Sequence, residues 1–277
     1  MERFETSDRV AIAYQVFGHG RPLVVCHGGP STTHSYLVDD LAALGDRTTL
    51  IFHDYRGSGR SDAAQREGYT FERLADDVDE LRAHLGLERL AVLAHSMGGF
   101  VALEYALRHP DRCEQLIMIS CSPAGTWQRT ALPTLRALGL GRFIKLSSRV
   151  LTYGLWWSWR SSSDEKTRAR FSIMSVLQEG QPAFRDDVAE REVLADNDNA
   201  RTLERLGFGT DLTDQLVKIA CPVLIIFGDR DAPFTAGAQL LASGLPNART
   251  LRLQGVGHHP LVEEHDRTIE AIASSLR

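Results

Sequence analysis

Three short stretches, far apart in the chain, carry residues that could cooperate in nucleophilic chemistry. Ser96 lies in A-H-S-M-G (Ala94 to Gly98), Asp231 ends G-D-R-D (Gly228 to Asp231) and His258 ends G-V-G-H (Gly255 to His258). A serine hydroxyl is a poor nucleophile at neutral pH. It attacks a carbonyl only when an adjacent imidazole accepts its proton, and that imidazole needs a carboxylate to orient it and to stabilise its protonated form. Each of the three follows an apolar run of strand type, and groups at the carboxyl ends of strands are the ones an open α/β sheet brings together. The pattern small-x-Ser-x-Gly suits a turn so tight that the neighbours of the serine must lack bulk, with Ala94 supplying a methyl where glycine is usual. Strain in such a turn lifts the hydroxyl clear of the sheet. The Met97 amide, at the start of the next helix, then faces the place where an oxyanion would form. A surface serine in a glycine-rich turn would share the pentapeptide, but the conjunction of three loops would not follow from it.

The elements needed to hold these groups appear as an alternation of strands and helices. Val10 to Phe17 and Pro22 to His27 read as strands joined by a hairpin-type link, Gly18-His19-Gly20. The second runs into His27-Gly28-Gly29-Pro30, where the glycine pair lets backbone amides turn inward; a plain strand-to-helix loop would look the same. A helix is expected around Tyr36 to Leu44 and a strand over Thr48 to Phe52. The loop from Asp54 to Ser61 reads as a structural turn held by internal ion pairs. Phe71, Leu74, Val78, Leu81 and Leu85 recur at helical spacing, then Leu90 to Ala94 reads as a buried strand and Phe100 to Leu107 as a helix. Leu116 to Ile119 and Pro222 to Phe227 are strands, followed by a helix near Ala236 to Leu245, a strand over Thr250 to Leu253 and a last helix from about Glu263 to Leu276. This rhythm predicts an α/β fold with a mostly parallel central sheet flanked by helices. Between Ala124 and Val223 no strand pattern recurs, and the stretch holds all four tryptophans, Trp127, Trp156, Trp157 and Trp159. It is too long for a connecting loop. Residues 124–216 are therefore expected to form an inserted helical cap on a core made of 1–123 and 217–277.

Composition excludes several classes. With 31 Lys and Arg against 36 Asp and Glu, the net charge of −5 lacks the basic footprint that nucleic acid or an anionic membrane would require. No apolar run approaches the length of a membrane span, and the opening M-E-R-F-E-T-S-D-R-V has no secretory character. Cys26, Cys113, Cys121 and Cys221 sit in or beside apolar runs without metal-ligand spacing, so buried reduced thiols and a cytoplasmic location are expected.

The chain resembles the α/β-hydrolase-fold serine hydrolases with a helical cap. The resemblance rests on H-G-G-P (His27 to Pro30), D-Y-R-G-S-G-R-S (Asp54 to Ser61), A-H-S-M-G-G (Ala94 to Gly99), G-D-R-D and G-V-G-H. It covers nearly all of both core segments, and the order serine, acid, histidine is the one that fold uses. It implies Ser96 as nucleophile, His258 as base, Asp231 as its acid, and the amides of Gly29 and Met97 as the oxyanion hole, with no metal or organic cofactor. Asp229 is the alternative acid. Relatives that carry the acid after the preceding strand have no counterpart here, since Ser120-Cys121-Ser122 offers no carboxylate. His258 is preferred to His259 because it follows the glycine of G-x-G-H. His27 and His95 read as positioning groups, and His95 joins Trp156, Trp157 and Trp159 as candidates for touching substrate. The tryptophans could equally pack the seam between cap and core. His19, His34, His53 and His109 read as surface or turn residues.

More narrowly, H-G-G-P with D-x-R-G-x-G-R-S is similar to the proline-iminopeptidase branch, whose members remove N-terminal residues from peptides. Ser31 and Met97 depart from that branch's usual glycine and tryptophan, and Arg160 follows Trp159 where the branch has a glutamate near its cap tryptophans. Glu190, Glu192 or Glu204 would have to bind the substrate amine, or else are solvated helix charges. The expected activity is hydrolysis of a carboxylic ester, thioester or lactone through an acyl-enzyme. Peptide or amide cleavage is the alternative, and a ligand-binding pseudoenzyme that keeps the pocket without turnover is a third. The partner is a small ester or short peptide; serine in the elbow disfavours relatives with an aspartate nucleophile.

Overall fold

In the computed structural model, the described residues are 1–29, 32–125 and 209–276, together with Ile144, Ser147, Ser148, Leu206 and Gly207. They form one eight-stranded sheet of order β1-β2-β4-β3-β5-β6-β7-β8. The strands are β1 (Glu2–Glu5), β2 (Ala11–Phe17), β3 (Arg21–Cys26), β4 (Thr48–His53), β5 (Leu90–His95), β6 (Cys113–Ile119), β7 (Val223–Gly228) and β8 (Ala248–Leu253). Pairs β1·β2 and β2·β4 are antiparallel and every later pair is parallel. Among the described residues, the α-helices with both ends described are α1 (Val38–Leu41), α2 (Phe71–His84), α3 (Gly98–Arg108), α4 (Ala232–Gly244), α5 (Pro260–Glu263) and α6 (His265–Ser275).

The central strands read as unbroken apolar runs because both faces are covered. Val24, Cys26, Val92, Ala94, Leu116 and Met118 pack on one side with Leu74, Val78, Val101 and Leu241 of α2, α3 and α4. Leu23, Val25, Ala91, Leu93, Ile117 and Ile119 pack on the other with Leu41, Leu261 and Ile272 of α1, α5 and α6. Each such fully buried Val, Leu, Ile or Met side chain contributes about 1.5–3 kcal/mol relative to exposure. α2 starts where Thr70 accepts the Arg73 amide at 3.1 Å, a side-chain N-cap. α3 lies so close to β3 that a Cβ on Gly98 would stand 2.3 Å from the Cys26 carbonyl oxygen.

Several expectations need correction. β2 and β3 are not a hairpin, because β4 lies between them, pairing Tyr14 with His53 on one side and Leu23 with Leu50 on the other. The Gly18–Gly20 link instead crosses the approach to β4, with the His19 amide on the Gly45 carbonyl at 3.1 Å and the Arg21 amide on the Arg47 carbonyl at 3.3 Å. The helix expected over Tyr36 to Leu44 is α1 flanked by two 3-10 turns, His34–Leu37 and Ala42–Leu44. The last helix breaks at Glu264, whose φ of −139° is not helical. The Asp54 to Ser61 loop is not held by internal ion pairs. Arg56 is fully buried and reaches out of the loop, its Nε donating to Asp77 Oδ2 at 2.7 Å and its Nη1 to Asp8 Oδ2 at 2.7 Å.

Most of the expected cap, including Trp127, Trp156, Trp157 and Trp159, lies outside the described residues. Its two ends meet. Ala124 and Asp211 form an antiparallel bridge, the Gly125 amide donates to the Thr210 carbonyl at 2.8 Å and the Leu212 amide to the Pro123 carbonyl at 2.8 Å. Leu212 and Leu216 belong to the same buried cluster as α2, α3 and α4. Among the described residues no helix is long and apolar enough to cross a membrane.

Candidate active site

β5 ends at His95, and the chain turns into α3 through Ser96, whose φ of 56° lies in the left-handed region that a non-glycine residue rarely adopts. The turn is pinned by the Ser96 amide on the Ile119 carbonyl at 3.0 Å and the Gly99 amide on the Ser96 carbonyl at 3.1 Å. Bulk is excluded around it: a Cβ on Gly28 would lie 3.0 Å from Ser96 Cβ, and one on Gly99 would lie 2.8 Å from Cys121 Cβ.

β7 ends at Gly228, where a Cβ would stand 2.1 Å from the Val256 carbonyl oxygen, so this strand end abuts the loop after β8. The Asp229 amide on the Leu253 carbonyl at 3.1 Å and the Arg230 amide on the Val256 carbonyl at 2.9 Å zip the two loops together. This brings Asp231 under His258, with Asp231 Oδ2 2.7 Å from His258 Nδ1 and His258 Nε2 3.0 Å from Ser96 Oγ. Asp231 is wholly buried and His258 nearly so, while Ser96 is half-buried. Asp231 Oδ1 has no hydrogen-bond partner among the described residues. Asp229 faces away, accepting the Gly255 amide at 2.8 Å with Oδ1.

Gly29 has a φ of 61°, in the region glycine favours, and no hydrogen bond of the Gly29 or Met97 amide occurs among the described residues. His27 shapes this loop: its Nδ1 donates to the Gly28 carbonyl at 2.8 Å, and its ring centroid lies 4.1 Å from that of Tyr55 with the planes tilted by 35°. Burial holds the His27 imidazole down at about 4, so it stays neutral.

His95 is buried, its Nδ1 lies 2.7 Å from the Tyr36 hydroxyl and its Nε2 3.1 Å from the His258 carbonyl, so both ring nitrogens are engaged within the protein. His34 and His53 are buried, not surface residues. His34 Nδ1 is 2.7 Å from Asp54 Oδ1. Burial works against the Asp54 charge, but hydrogen bonds from His34 and the Arg60 amide hold its carboxyl at about 2. His53 has no partner at either nitrogen among the described residues, and burial lowers it to about 3.

Three neighbours of the site left little trace in the sequence. Tyr36 carries no spacing signal. Phe234 packs its ring 4.4 Å from that of His258. Glu263 accepts the Gly257 amide at 2.9 Å and the His259 amide at 3.3 Å, holding the peptide units on either side of His258. An acid in the first turn of a helix reaching back to preceding amides is a capping pattern, and G-H-H-P-L-V-E could have been read that way. Among the described residues no group of three or more His, Cys, Asp or Glu side chains is placed to hold a metal ion.

A model of the alpha/beta hydrolase fold family matches residues 21–265. The chain belongs to this family. It is 30% identical over 257 residues to the non-heme chloroperoxidase CPO-A1 of Kitasatospora aureofaciens, covering 91% of this chain and 90% of that protein. It is 28% identical to the proline iminopeptidase PfmaB of Pestalotiopsis fici, covering 100% of this chain and 99% of that protein. Among solved structures, the esterase EaEST of Exiguobacterium antarcticum superposes with a TM-score of 0.76 at 24% identity, covering 99% of this chain and 98% of that one, a likeness of fold. The narrower similarity to proline iminopeptidases thus extends along the whole chain.

Proposed function

We propose that this α/β-hydrolase-family enzyme cleaves a carboxylic ester, thioester or lactone through an acyl-enzyme on Ser96. One observation carries the reading: a serine in a strained elbow has its hydroxyl oxygen 3.0 Å from an imidazole whose far nitrogen is 2.7 Å from a fully buried carboxylate. His258 Nδ1–H donates to Asp231, which leaves Nε2 as the acceptor of the Ser96 proton. Ser96 Oγ then bonds to the substrate carbonyl carbon, and the amides of Gly29 and Met97 take the oxyanion. The imidazolium returns its proton to the leaving oxygen or sulfur as that bond breaks. Water, activated by the same imidazole, hydrolyses the acyl-serine to release the acid.

Residues 124–216 are assigned as the cap over this site. The bridge between Ala124 and Asp211 supports an excursion that leaves and returns at one point of the core. Trp156, Trp157 and Trp159 are assigned to specificity within it; truncation to alanine is expected to change the ratio of bulky to short ester activity, and a constant ratio in all three variants would remove that role.

A second reading, removal of an N-terminal residue from a peptide, is favoured by the similarity to PfmaB along the whole chain. A panel of chromogenic acyl esters beside N-terminal proline and alanine amides decides between them. A fluorophosphonate probe tests the shared chemistry: an unlabelled Ser96 in folded protein would leave a binding protein without turnover.

A further inference from the structure

We propose that Tyr36 and His95 form a positioning relay that ties the loop carrying the Gly28 and Gly29 amides to the backbone of His258. The relay deepens the reading of Ser96 as nucleophile and rests on it for its effect on rate, though not for its own proton arrangement.

The chain of contacts is continuous. The Gly28 amide lies 2.7 Å from the Tyr36 hydroxyl oxygen, that oxygen 2.7 Å from His95 Nδ1, and His95 Nε2 3.1 Å from the His258 carbonyl oxygen. Elementary chemistry fixes the protons at both ends. An amide can only donate, so the Tyr36 oxygen accepts from Gly28, and its own hydrogen can be donated to His95 Nδ1. A carbonyl can only accept, so His95 Nε2 carries the ring proton. The His258 carbonyl thus sets the tautomer, the Tyr36 hydroxyl is compatible with it, and burial, which holds the His95 imidazole down at about 3, keeps the ring neutral as that arrangement requires.

The relay joins three strand-end loops. Gly28 follows β3 and precedes Gly29; His95 ends β5 and is bonded covalently to Ser96; His258 follows β8. On the far side Glu263 holds the amides of Gly257 and His259, so the peptide of His258 is gripped by a carboxylate from one side and by the His95 N–H from the other. The His258 ring, 5.0 Å from that of His95, has its two nitrogens committed to Asp231 and Ser96. The spacing between an oxyanion donor and the proton-moving imidazole is therefore set through two side chains that hydrogen-bond to neither. A shift of about 1 Å in such a constellation costs up to about 100-fold in rate.

The test combines kinetics with the nitrogen-15 spectrum of histidine-labelled protein. In the wild type His95 is expected as the Nε2–H tautomer, with Nδ1 accepting a hydrogen bond. In Tyr36→Phe the Nδ1 signal is expected to move toward that of an unbonded pyridine-type nitrogen. On a chromogenic ester, Tyr36→Phe and His95→Leu are each expected to lower kcat by about 10-fold with KM within about two-fold, and the double variant to fall no further than the worse single one, as members of one serial chain do. His95→Gln, whose amide can still donate to the His258 carbonyl, is expected to recover about three-fold or more over His95→Leu. A wild-type His95 protonated at Nδ1, an Nδ1 signal indifferent to Tyr36→Phe, losses that multiply, or a lower Tm with kcat unchanged would each overturn the relay. If the variants fail to fold, the wild-type tautomer decides. If wild-type Ser96 resists the fluorophosphonate while His95 is Nε2–H, the relay stands and the nucleophile reading falls.

Discussion

Asp231 and Asp229 lie two residues apart, and replacing each by asparagine separates a buried orienting charge from a loop-shaping one. Asp231 is fully buried, and its Oδ2 receives the His258 Nδ1 proton at 2.7 Å while Oδ1 has no partner among the described residues. Asparagine can occupy this pocket in two ways. With its oxygen toward His258, the amide NH2 falls at the Oδ1 position and leaves two buried donors unmet, a cost of about 1–3 kcal/mol. With its nitrogen toward His258, one donor is satisfied, but the imidazole must become the Nε2–H tautomer, which points a proton at Ser96 Oγ 3.0 Å away and cannot accept one. The lack of a hydrogen-bond partner for Oδ1 among the described residues favours the second, inactive arrangement, so the loss in kcat is expected near the upper end of about 10²- to 10⁴-fold. At Asp229 the amide oxygen of asparagine can still accept the Gly255 amide, which now sits at 2.8 Å. Only the pair with Arg252 at 3.4 Å is lost, and the Arg252 side chain is 63% exposed, so about 1 kcal/mol or less of stability and about two-fold or less in kcat should change. The measurement is kcat/KM on one chromogenic ester with Tm for both variants. Equal or reversed losses would show that Asp231 does not orient His258.

Ser96→Ala is expected to lower kcat by about 10⁴-fold or more with the fold retained, and a variant keeping a tenth of the activity would end the acyl-enzyme reading. Gly98→Ala should fail to accumulate as soluble protein, since its Cβ would stand 2.3 Å from one backbone oxygen and 2.7 Å from another, whereas Gly255→Ala, with φ of 76° and nothing within 4 Å, should cost only about 1–2 kcal/mol in a urea titration. Acid stability follows from the buried imidazoles: His27, His53 and His95 stand at about 4, 3 and 3 in the fold against 6.5 for the free group. Between those values the unfolded chain binds more protons, so stability is complete above about pH 6.5 and falls toward pH 4, by up to about 4 kcal/mol per pH unit if all three act together. His53→Leu, removing two ring nitrogens with no hydrogen-bond partner among the described residues, should leave stability at pH 7 equal or higher and make that acid slope shallower by about a third; an unchanged slope would mean His53 protonates in the fold.

What the sequence disclosed is what short-range chemistry dictates. Unbroken runs such as Leu90 to Ala94 announce strands covered on both faces, and their burial in two opposite clusters follows from simple alternation of side chains. Small residues around Ser96 announce a tight turn because the steric demand is local to it. By contrast β1 carries one buried side chain, Phe4, in an otherwise exposed E-R-F-E, and its existence depends on β2 lying alongside. The order of strands failed at Gly18-His19-Gly20 for a related reason. A glycine-rich link permits a hairpin, but β4, more than twenty residues later, is the better partner for both strands, and no residue in the link records that.

Polar side chains follow the same division. Arg56, His34 and His53 look like surface groups when read in place, since nothing nearby in the chain can bury a charge. Each is buried by elements far away in sequence, and Arg56 survives there because Asp8 and Asp77 arrive from two other elements to satisfy its guanidinium. The choice between Asp229 and Asp231 is of this kind too. Both stand in one loop with the same chemistry, and only the contact of Gly228 with the Val256 carbonyl, which seats the β7 end against the loop after β8, turns Asp231 inward to His258 and leaves Asp229 to the Gly255 amide. A glycine that looks like punctuation in the sequence is thus the steric condition for the pairing on which the proposed chemistry depends.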